Sequence, residues 1–227
     1  MSDDTPTGLE AELRRAKDLD VEDLAETIQS IGFECTRCGG CCKAVETESG
    51  TEDHTATVFP DEVRELKQRG GEFEESYDWR DVARPMPYGT DGETFEWALA
   101  VDDCGDCTFY EESDDGVGRC TVHDSRPLIC RTYPFSVALD GGAEPSGAVV
   151  QEEGMVRAHE CEGLGGEISR GEAEELAAAL KRRTIRELEE AVAVVEGYEP
   201  TDTDELVVFD SEGPKRADGS RLREDER

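Results

Sequence analysis

The chain has 227 residues, enough for one domain with an apolar core of its own. Its formal charge at pH 7 is −33, from 57 acidic and 24 basic residues. Nucleic-acid binding needs a basic footprint that this chain lacks, so we expect no nucleic-acid partner.

Arginine outnumbers lysine by 19 to 5. With so many acidic residues this composition is typical of cytoplasmic proteins of salt-accumulating organisms, so we expect a halophilic source. The acidic residues extend from Asp3 to Glu226 rather than forming one patch. We therefore interpret them as solvated surface rather than as a binding site for a basic partner.

No segment approaches the ~20 apolar residues of a membrane span. The N-terminal Met1-Ser2-Asp3-Asp4 has neither the basic start nor the apolar run of a signal peptide. We therefore expect a cytoplasmic protein without a membrane partner. That compartment keeps thiols reduced, and the cysteine count of nine is odd, so metal ligation is a better prediction than disulfides.

Three segments have helical patterns. Residues 7–31 carry apolar residues at helical spacing, with a restart at Asp20 and an end at Gly32. Residues 60–69 begin with a proline and are followed by a glycine. Residues 169–195 combine a capping-box pattern, Ser169 with Glu172, with one continuous apolar stripe, which predicts a long helix.

Short strands are predicted between these helices and after the last one. They lie at residues 55–59, 94–101, 135–139, 147–150 and 206–209, the last as an edge strand. Residues 210–227 are charged and lack apolar periodicity, so we predict a disordered tail.

These elements predict an α+β fold. We expect a small, loop-rich domain with short strands, in which bound metal cross-links the chain. An N-terminal helix and a long C-terminal helix flank it. The predicted divisions are a helical segment at 1–32, a cysteine-cluster metal-binding domain at 33–168, the C-terminal helix with an edge strand packed on the domain at 169–209, and the tail at 210–227.

The cysteine spacing carries the strongest functional signal. Cys35, Cys38 and Cys41 follow a C-x-x-C-x-x-C pattern, with Cys42 directly after it. Three such sulfurs match a loop around a cubane iron–sulfur cluster, whose fourth ligand comes from elsewhere, and the same spacing permits zinc. On an extended backbone Cys41 and Cys42 would diverge, so one of them could serve a second metal.

Further motifs bring a family resemblance. The chain contains, in order, Phe33-x-Cys35-x-x-Cys38-Gly39-x-Cys41-Cys42, Cys107-Thr-Phe-Tyr, Cys120-Thr-Val and Arg126-Pro127-x-x-Cys130-Arg131-x-Tyr133-Pro134-Phe135. From residue 33 to about 163 it resembles the YkgJ-like cysteine-cluster family, described as a zinc- or iron-chelating, or iron–sulfur, domain. The resemblance implies eight ligands and leaves their division among centres open: Cys35, Cys38, Cys41, Cys42, Cys107, Cys120, Cys130 and Cys161.

Three residues outside that set are additional ligand candidates. Cys104 completes a C-x-x-C pair with Cys107 and could be a ligand, a redox thiol or a bystander. His123 stands where the family pattern leads us to expect an aromatic residue, and its imidazole could bind a metal or simply lie at the surface. His159 is a candidate through its proximity to Cys161, whereas we expect no ligand role for His54.

Other residues near the cysteines have supporting interpretations. Arg126 and Arg131 flank Cys130 and could offset the charge of a thiolate centre, or pair with the many carboxylates. The neighbouring aromatic residues could exclude water from a redox centre, but we favour core packing for them. They are Phe109, Tyr110, Tyr133 and Phe135.

Two functional classes remain open. The first is an iron–sulfur protein, with a 4Fe–4S cluster and a redox or electron-transfer role. The alternative is a zinc-stapled module for protein–protein interaction, or a protein for metal chelation and delivery. No phosphate loop, nucleophile elbow or metalloprotease helix is present, so enzyme status stays open. We expect an unidentified protein or redox partner.

Overall fold

A computed structural model describes residues 8–47, 50–70, 77–86, 92–139, 148–201 and 203–223. Its helices are α1 (Gly8–Asp18), α2 (Val21–Ile31), α3 (Pro60–Gly70), α4 (Trp79–Val82), α5 (Leu128–Thr132) and α6 (Arg170–Gly197). Its strands are β1 (Val45–Thr47), β2 (Gly50–Glu52), β3 (Thr57–Val58), β4 (Ala83–Pro85), β5 (Glu93–Thr94), β6 (Trp97–Leu99), β7 (Tyr110–Glu112), β8 (Gly118–Cys120), β9 (Phe135–Val137), β10 (Val149–Glu153), β11 (Val156–His159), β12 (Val207–Asp210) and β13 (Gly213–Arg216). Short strands between an N-terminal helix and a long C-terminal helix confirm the α+β class.

The chain divides into two compact units, each built from two stretches of sequence. Unit 1 comprises Met1–Thr36 and Cys130–Val192, and unit 2 comprises Arg37–Ile129 and Ala193–Arg227. The domain boundaries predicted from the sequence stay a prediction.

Unit 1 joins helices to a small antiparallel sheet with the order β10-β11-β9. The helices α1, α2 and α6 share an apolar core with β9 and β11, because each has one apolar face to bury. Its buried residues are Ala16, Leu19, Leu24, Ala25, Ile28, Ile31, Phe135, Val156, Ala158, Ala173, Ala177 and Leu180.

Helix boundaries in unit 1 follow the capping residues of the sequence. The Asp20 carboxylate accepts the first backbone N–H groups of α2, and Gly32 ends that helix with φ of 77°. Before α6, the Ser169 hydroxyl accepts the N–H of Glu172 while the Glu172 carboxylate accepts the N–H of Ser169. Both predicted boundaries are confirmed, whereas the start predicted at residue 7 lies outside the described residues.

Unit 2 contains several small sheets. The strand orders are β3-β6-β4, β13-β12-β5, β1-β2 and β7-β8. Strand β6 is fully buried, and Trp97 in it packs edge-on against Trp79 at 5.0 Å between ring centroids. Another core cluster forms from Val207, Phe209 and Leu222, with Val194 packed against it.

The C-terminal hairpin of β12 and β13 corrects two predictions. The strand predicted at 206–209 is central rather than at an edge, and all four residues of β12 are buried. The disorder predicted for 210–227 is wrong over the described part of that segment, because β13 pairs with β12 and Leu222 is buried. Residues 224–227 lie outside the described residues.

A buried ion pair explains why a charged sequence folds there. The Lys215 ammonium lies 2.7 Å from an Asp210 carboxylate oxygen and 2.9 Å from Glu212. The indole N–H of Trp97 donates to the same Asp210 oxygen at 2.8 Å. Buried charges are tolerated when they are paired and hydrogen-bonded in this way.

Among the described residues, no helix combines the length and the apolar character needed to cross a membrane.

Candidate metal centre

The ligand loop, defined as residues 37–43, is folded as a tight turn. Gly39 has φ of 78°, which favours glycine, and its carbonyl accepts the N–H of Cys42 at 2.8 Å. The turn brings the Sγ atoms of Cys41 and Cys42 to 3.7 Å. The expected divergence of these two side chains is therefore wrong, because it assumed an extended backbone.

Tyr110 packs closely against the ligand loop. A Cβ at Gly39 would come within 2.2 Å of the Tyr110 hydroxyl, and one at Gly118 within 2.6 Å of the Tyr110 ring. Both positions therefore require glycine. The hydroxyl donates to Glu112 at 2.6 Å, and Lys43 pairs with the same carboxylate while lying 5.3 Å from the centroid of the tyrosine ring.

Two more thiols of unit 2 lie in this neighbourhood. The N–H of Cys107 donates to the carbonyl of Cys42 at 2.8 Å, which joins that segment to the ligand loop. Cys120 lies opposite Tyr110 in the β7–β8 pair. The Sγ of Cys38 is 3.6 Å from where a Gly40 Cβ would be. Unit 2 thus groups Cys38, Cys41, Cys42, Cys107 and Cys120.

Charge and burial act differently on three of these thiols, Cys41, Cys107 and Cys120. A hydrogen bond from Cys42 lowers the pKa of Cys41 to about 7, and the positive charge of Arg126 acts in the same direction. Burial raises the pKa of Cys107 to about 11 and also raises the pKa of Cys120, where Arg126 acts in the opposite direction. Arg126 is thus placed to stabilise thiolates, whereas Arg131 is exposed.

Unit 1 carries the other three predicted ligands on segments that hydrogen bonds tie together. Next to Cys35, the N–H of Glu34 donates to the carbonyl of Gly163 at 2.9 Å, and Gly163 donates to the Cys161 sulfur at 3.4 Å. Past Cys130, which lies in α5, the Tyr133 hydroxyl donates to the carbonyl of Glu160. Cys35, Cys130 and Cys161 therefore lie on neighbouring segments.

The additional candidates are placed less favourably. Cys104 is exposed, and its backbone N–H donates to Asp102 at 2.8 Å. His123 is also exposed, with its ring 3.5 Å from Asp124. His159 is buried with its Nε2 2.9 Å from the Ser136 hydroxyl, and burial lowers its pKa. His54, for which we expected no ligand role, has its pKa lowered to about 4 by burial.

Within each unit the thiols lie near one another but do not form a closed coordination shell. In the described ranges, no three His, Cys, Asp or Glu side chains are arranged closely enough to hold an ion. The pair that does fit is Cys41 with Cys42. Two sulfurs bound to one tetrahedral ion at about 2.3 Å lie about 3.8 Å apart, close to the observed 3.7 Å.

Sequence reasoning missed the polar contacts around Tyr110. It treated this tyrosine as core packing, whereas the ring is only half-buried and its hydroxyl bonds to Glu112. It also missed the β7–β8 hairpin. The Asp115-Gly116 pair between the two strands is a hairpin signal that could have located it.

An α+β fold with nine cysteines, all of them thiols and grouped separately within each unit, defines a cysteine-cluster protein. The model of the CxxCxxCC family, described as a "putative zinc- or iron-chelating domain", matches residues 34–162. The match covers more than half of the chain, which therefore belongs to this family. No curated protein and no solved structure matches the chain significantly.

Proposed function

We propose that unit 2 binds a single zinc or iron ion, with Cys41 and Cys42 as two ligands of the same ion. The observation that supports this most is their sulfur–sulfur distance of 3.7 Å. Cys107 and Cys120 are the best further ligands, because both lie close enough to Cys41 for their charges to interact. Cys38 is the remaining candidate in this group.

The same distance favours one ion over the 4Fe–4S cluster that the spacing of Cys35, Cys38 and Cys41 suggests. In a cubane cluster each cysteine sulfur binds its own iron, so no two cysteine sulfurs share a metal atom. A pair of sulfurs in contact suits an ion with four thiolate ligands better. An iron–sulfur cluster remains the second candidate because of that spacing.

Residues of the chain itself would support the bound ion. Arg126 would offset part of the negative charge of a four-thiolate site, and Tyr110 would hold the ligand loop in its turn. Zinc would supply structural cross-linking, whereas iron would supply a one-electron redox centre. The proposed role is accordingly a zinc-stapled interaction or metal-delivery module, or a redox protein if iron is the natural metal.

In unit 1 we propose that Cys35, Cys130 and Cys161 form a separate ligand set. Hydrogen bonds between their segments hold these positions near one another. We also propose a cytoplasmic location, because nine cysteines that form no disulfide suit a reducing compartment.

Metal and acid-labile sulfide analysis of protein purified anaerobically in high potassium chloride tests this proposal. We expect zinc or iron with no matching sulfide. Cys42→Ser should lose metal, because it removes one of the paired ligands. The matched control is Cys104→Ser, which changes an exposed cysteine of the same unit and should retain the wild-type metal content.

Sulfide in amounts equal to iron would show a cluster and reject the single-ion site. Equal metal loss in Cys104→Ser and Cys42→Ser would reject the assignment of the ligand pair. Cobalt substitution gives an independent readout, since the intensity of the sulfur-to-cobalt absorption bands increases with the number of thiolate ligands.

A further inference from the structure

Unit 2 has an exposed apolar surface that the proposed metal site does not use. We name it the aromatic patch and define it as Phe95, Val195, Tyr198 and Leu206. Their exposed fractions are 44%, 63%, 37% and 43%. The rings of Phe95 and Tyr198 lie 5.5 Å apart, and Val195 and Leu206 follow or precede Val194 and Val207, which pack in the same core cluster. Exposed apolar side chains on neighbouring elements of a chain with net charge −33 indicate an interaction site.

Ring contacts with a buried phenylalanine and a hydrogen bond hold the aromatic rings of the patch in place. Phe209 is buried, and its ring centroid lies 5.8 Å from that of Phe95 and 4.9 Å from that of Tyr198. The Tyr198 hydroxyl donates to Glu93 at 2.7 Å, which fixes the direction of the ring. Rings that are already ordered lose little conformational entropy when a partner binds.

The charge around the patch identifies the chemistry of its partner. In residues 92–99 and 193–210, which carry the patch, every charged residue is acidic. Exposed carboxylates adjoin the apolar side chains in sequence at Glu196 and Glu199, whereas Glu205 already pairs with Arg216 at 3.1 Å. A guanidinium group can stack on an aromatic face and pair with a neighbouring carboxylate, and this patch offers both.

We infer that the aromatic patch binds a segment of another protein that presents arginine side chains between apolar ones. A second copy of this chain is a poor occupant, because it would bring two acidic rims together. The inference is independent of which metal the thiols bind.

Binding of a short synthetic peptide that alternates arginine with leucine to the metal-loaded protein tests the inference. Two control peptides separate the contribution of charge from that of apolar contact. One alternates arginine with serine, and the other alternates glutamate with leucine. Fluorescence anisotropy in physiological and in high potassium chloride should show that only the arginine–leucine peptide binds at both concentrations. Apolar contacts persist when salt screens the charges.

Variants locate the binding site on the protein. Phe95→Gln and Val195→Gln should each weaken binding of the arginine–leucine peptide by about tenfold. The matched control is Val150→Gln, which changes a valine of unit 1 that is 54% exposed and should leave the affinity unchanged. Because Val195 is so exposed, its variant keeps the test valid even if Phe95→Gln disturbs folding.

Three results would overturn the inference. Equal affinity for the arginine–serine peptide would show attraction by net charge alone. Equal weakening by Val150→Gln would place binding elsewhere. A dimer in light scattering that Val195→Gln converts to monomer would make a second copy the occupant.

Discussion

The ligand loop and the hairpin of β12 and β13 are both short, glycine-containing parts of unit 2, but different interactions hold them. The hairpin buries Val207 and Phe209 together with the Asp210–Lys215 ion pair. The ligand loop leaves Cys41 exposed and depends on a turn and on its packing against Tyr110. A segment that buries so little apolar surface needs another source of order, which the proposed metal would supply.

Metal removal should change the difference in stability between the ligand loop and the hairpin more than any substitution does. With a chelator, we expect amide hydrogen exchange of Cys42 and Cys107 to accelerate about tenfold or more, because their N–H groups bond within the ligand loop. The amides of Val207 and Phe209 should keep their protection. Equal acceleration in both regions would show that the hairpin depends on the metal as much as the loop does.

In the hairpin, Asp210→Ala should lower the free energy of unfolding by about 3 to 5 kcal/mol, because it removes the buried carboxylate that pairs with the Lys215 ammonium and accepts from the Trp97 N–H. Urea unfolding in potassium chloride measures this. The double variant Asp210→Leu with Lys215→Met is the control, since removing both charges should recover much of the loss. A single variant as stable as the wild type would contradict a buried pair.

In the ligand loop, Gly39→Ala should lower the free energy of unfolding by about 2 kcal/mol and reduce metal affinity. Its Cβ would meet the Tyr110 hydroxyl at 2.2 Å, and its φ is 78°. Gly40→Ala is the matched control, because its nearest neighbour is the Cys38 sulfur at 3.6 Å. Chelator competition on both variants checks the difference, and equal affinities would argue against a positioning role for Tyr110.

A smaller effect concerns pH. The Arg64 guanidinium, followed by Lys215, lowers the pKa of Glu212 to about 2 from its ordinary 4.5. The unfolded chain therefore binds this proton first, so stability from Glu212 is present above pH 4.5 and is lost as pH falls towards 2. The stability difference between wild type and Glu212→Gln should shrink over that range.

The exposed Glu111–Arg119 pair provides the comparison for that experiment. Glu111→Gln should change stability little at any pH, since exposed ion pairs contribute little. A pH-independent difference for Glu212→Gln would contradict the pairing with Arg64.

Local signals in the sequence predicted the longer helices α1, α2, α3 and α6, but not the short α4 and α5. Asp20 and Gly32 located the ends of α2, and Ser169 with Glu172 located the start of α6, because a cap involves residues only a few positions apart. Strand β13 was missed because it contains Pro214 and Lys215, which resemble a loop. Burial of Lys215 becomes favourable only when Asp210 and Glu212 are in place.

For the candidate site, spacing predicted which thiols could be ligands but not how they are arranged. The contact of Cys42 with Cys107 joins residues far apart in the chain, so no local pattern encodes it. The contact of Cys41 with Cys42 depends on a turn that Gly39 permits, and a prediction from extended geometry missed it. The spacing of the cysteines in the sequence likewise does not predict how they are divided between the two units.

The turn between β7 and β8 has a consequence for the evolution of such chains. Ser113 bonds to Val117 and to Asp115, and Gly116 donates to Ser113, so these polar groups bond within the turn itself. Its length can therefore change without moving the Tyr110–Cys120 register at the other end of the hairpin. Insertions and deletions among homologous chains should accumulate at residues 113–117, and a reporter peptide grafted there should leave the cysteine neighbourhood intact.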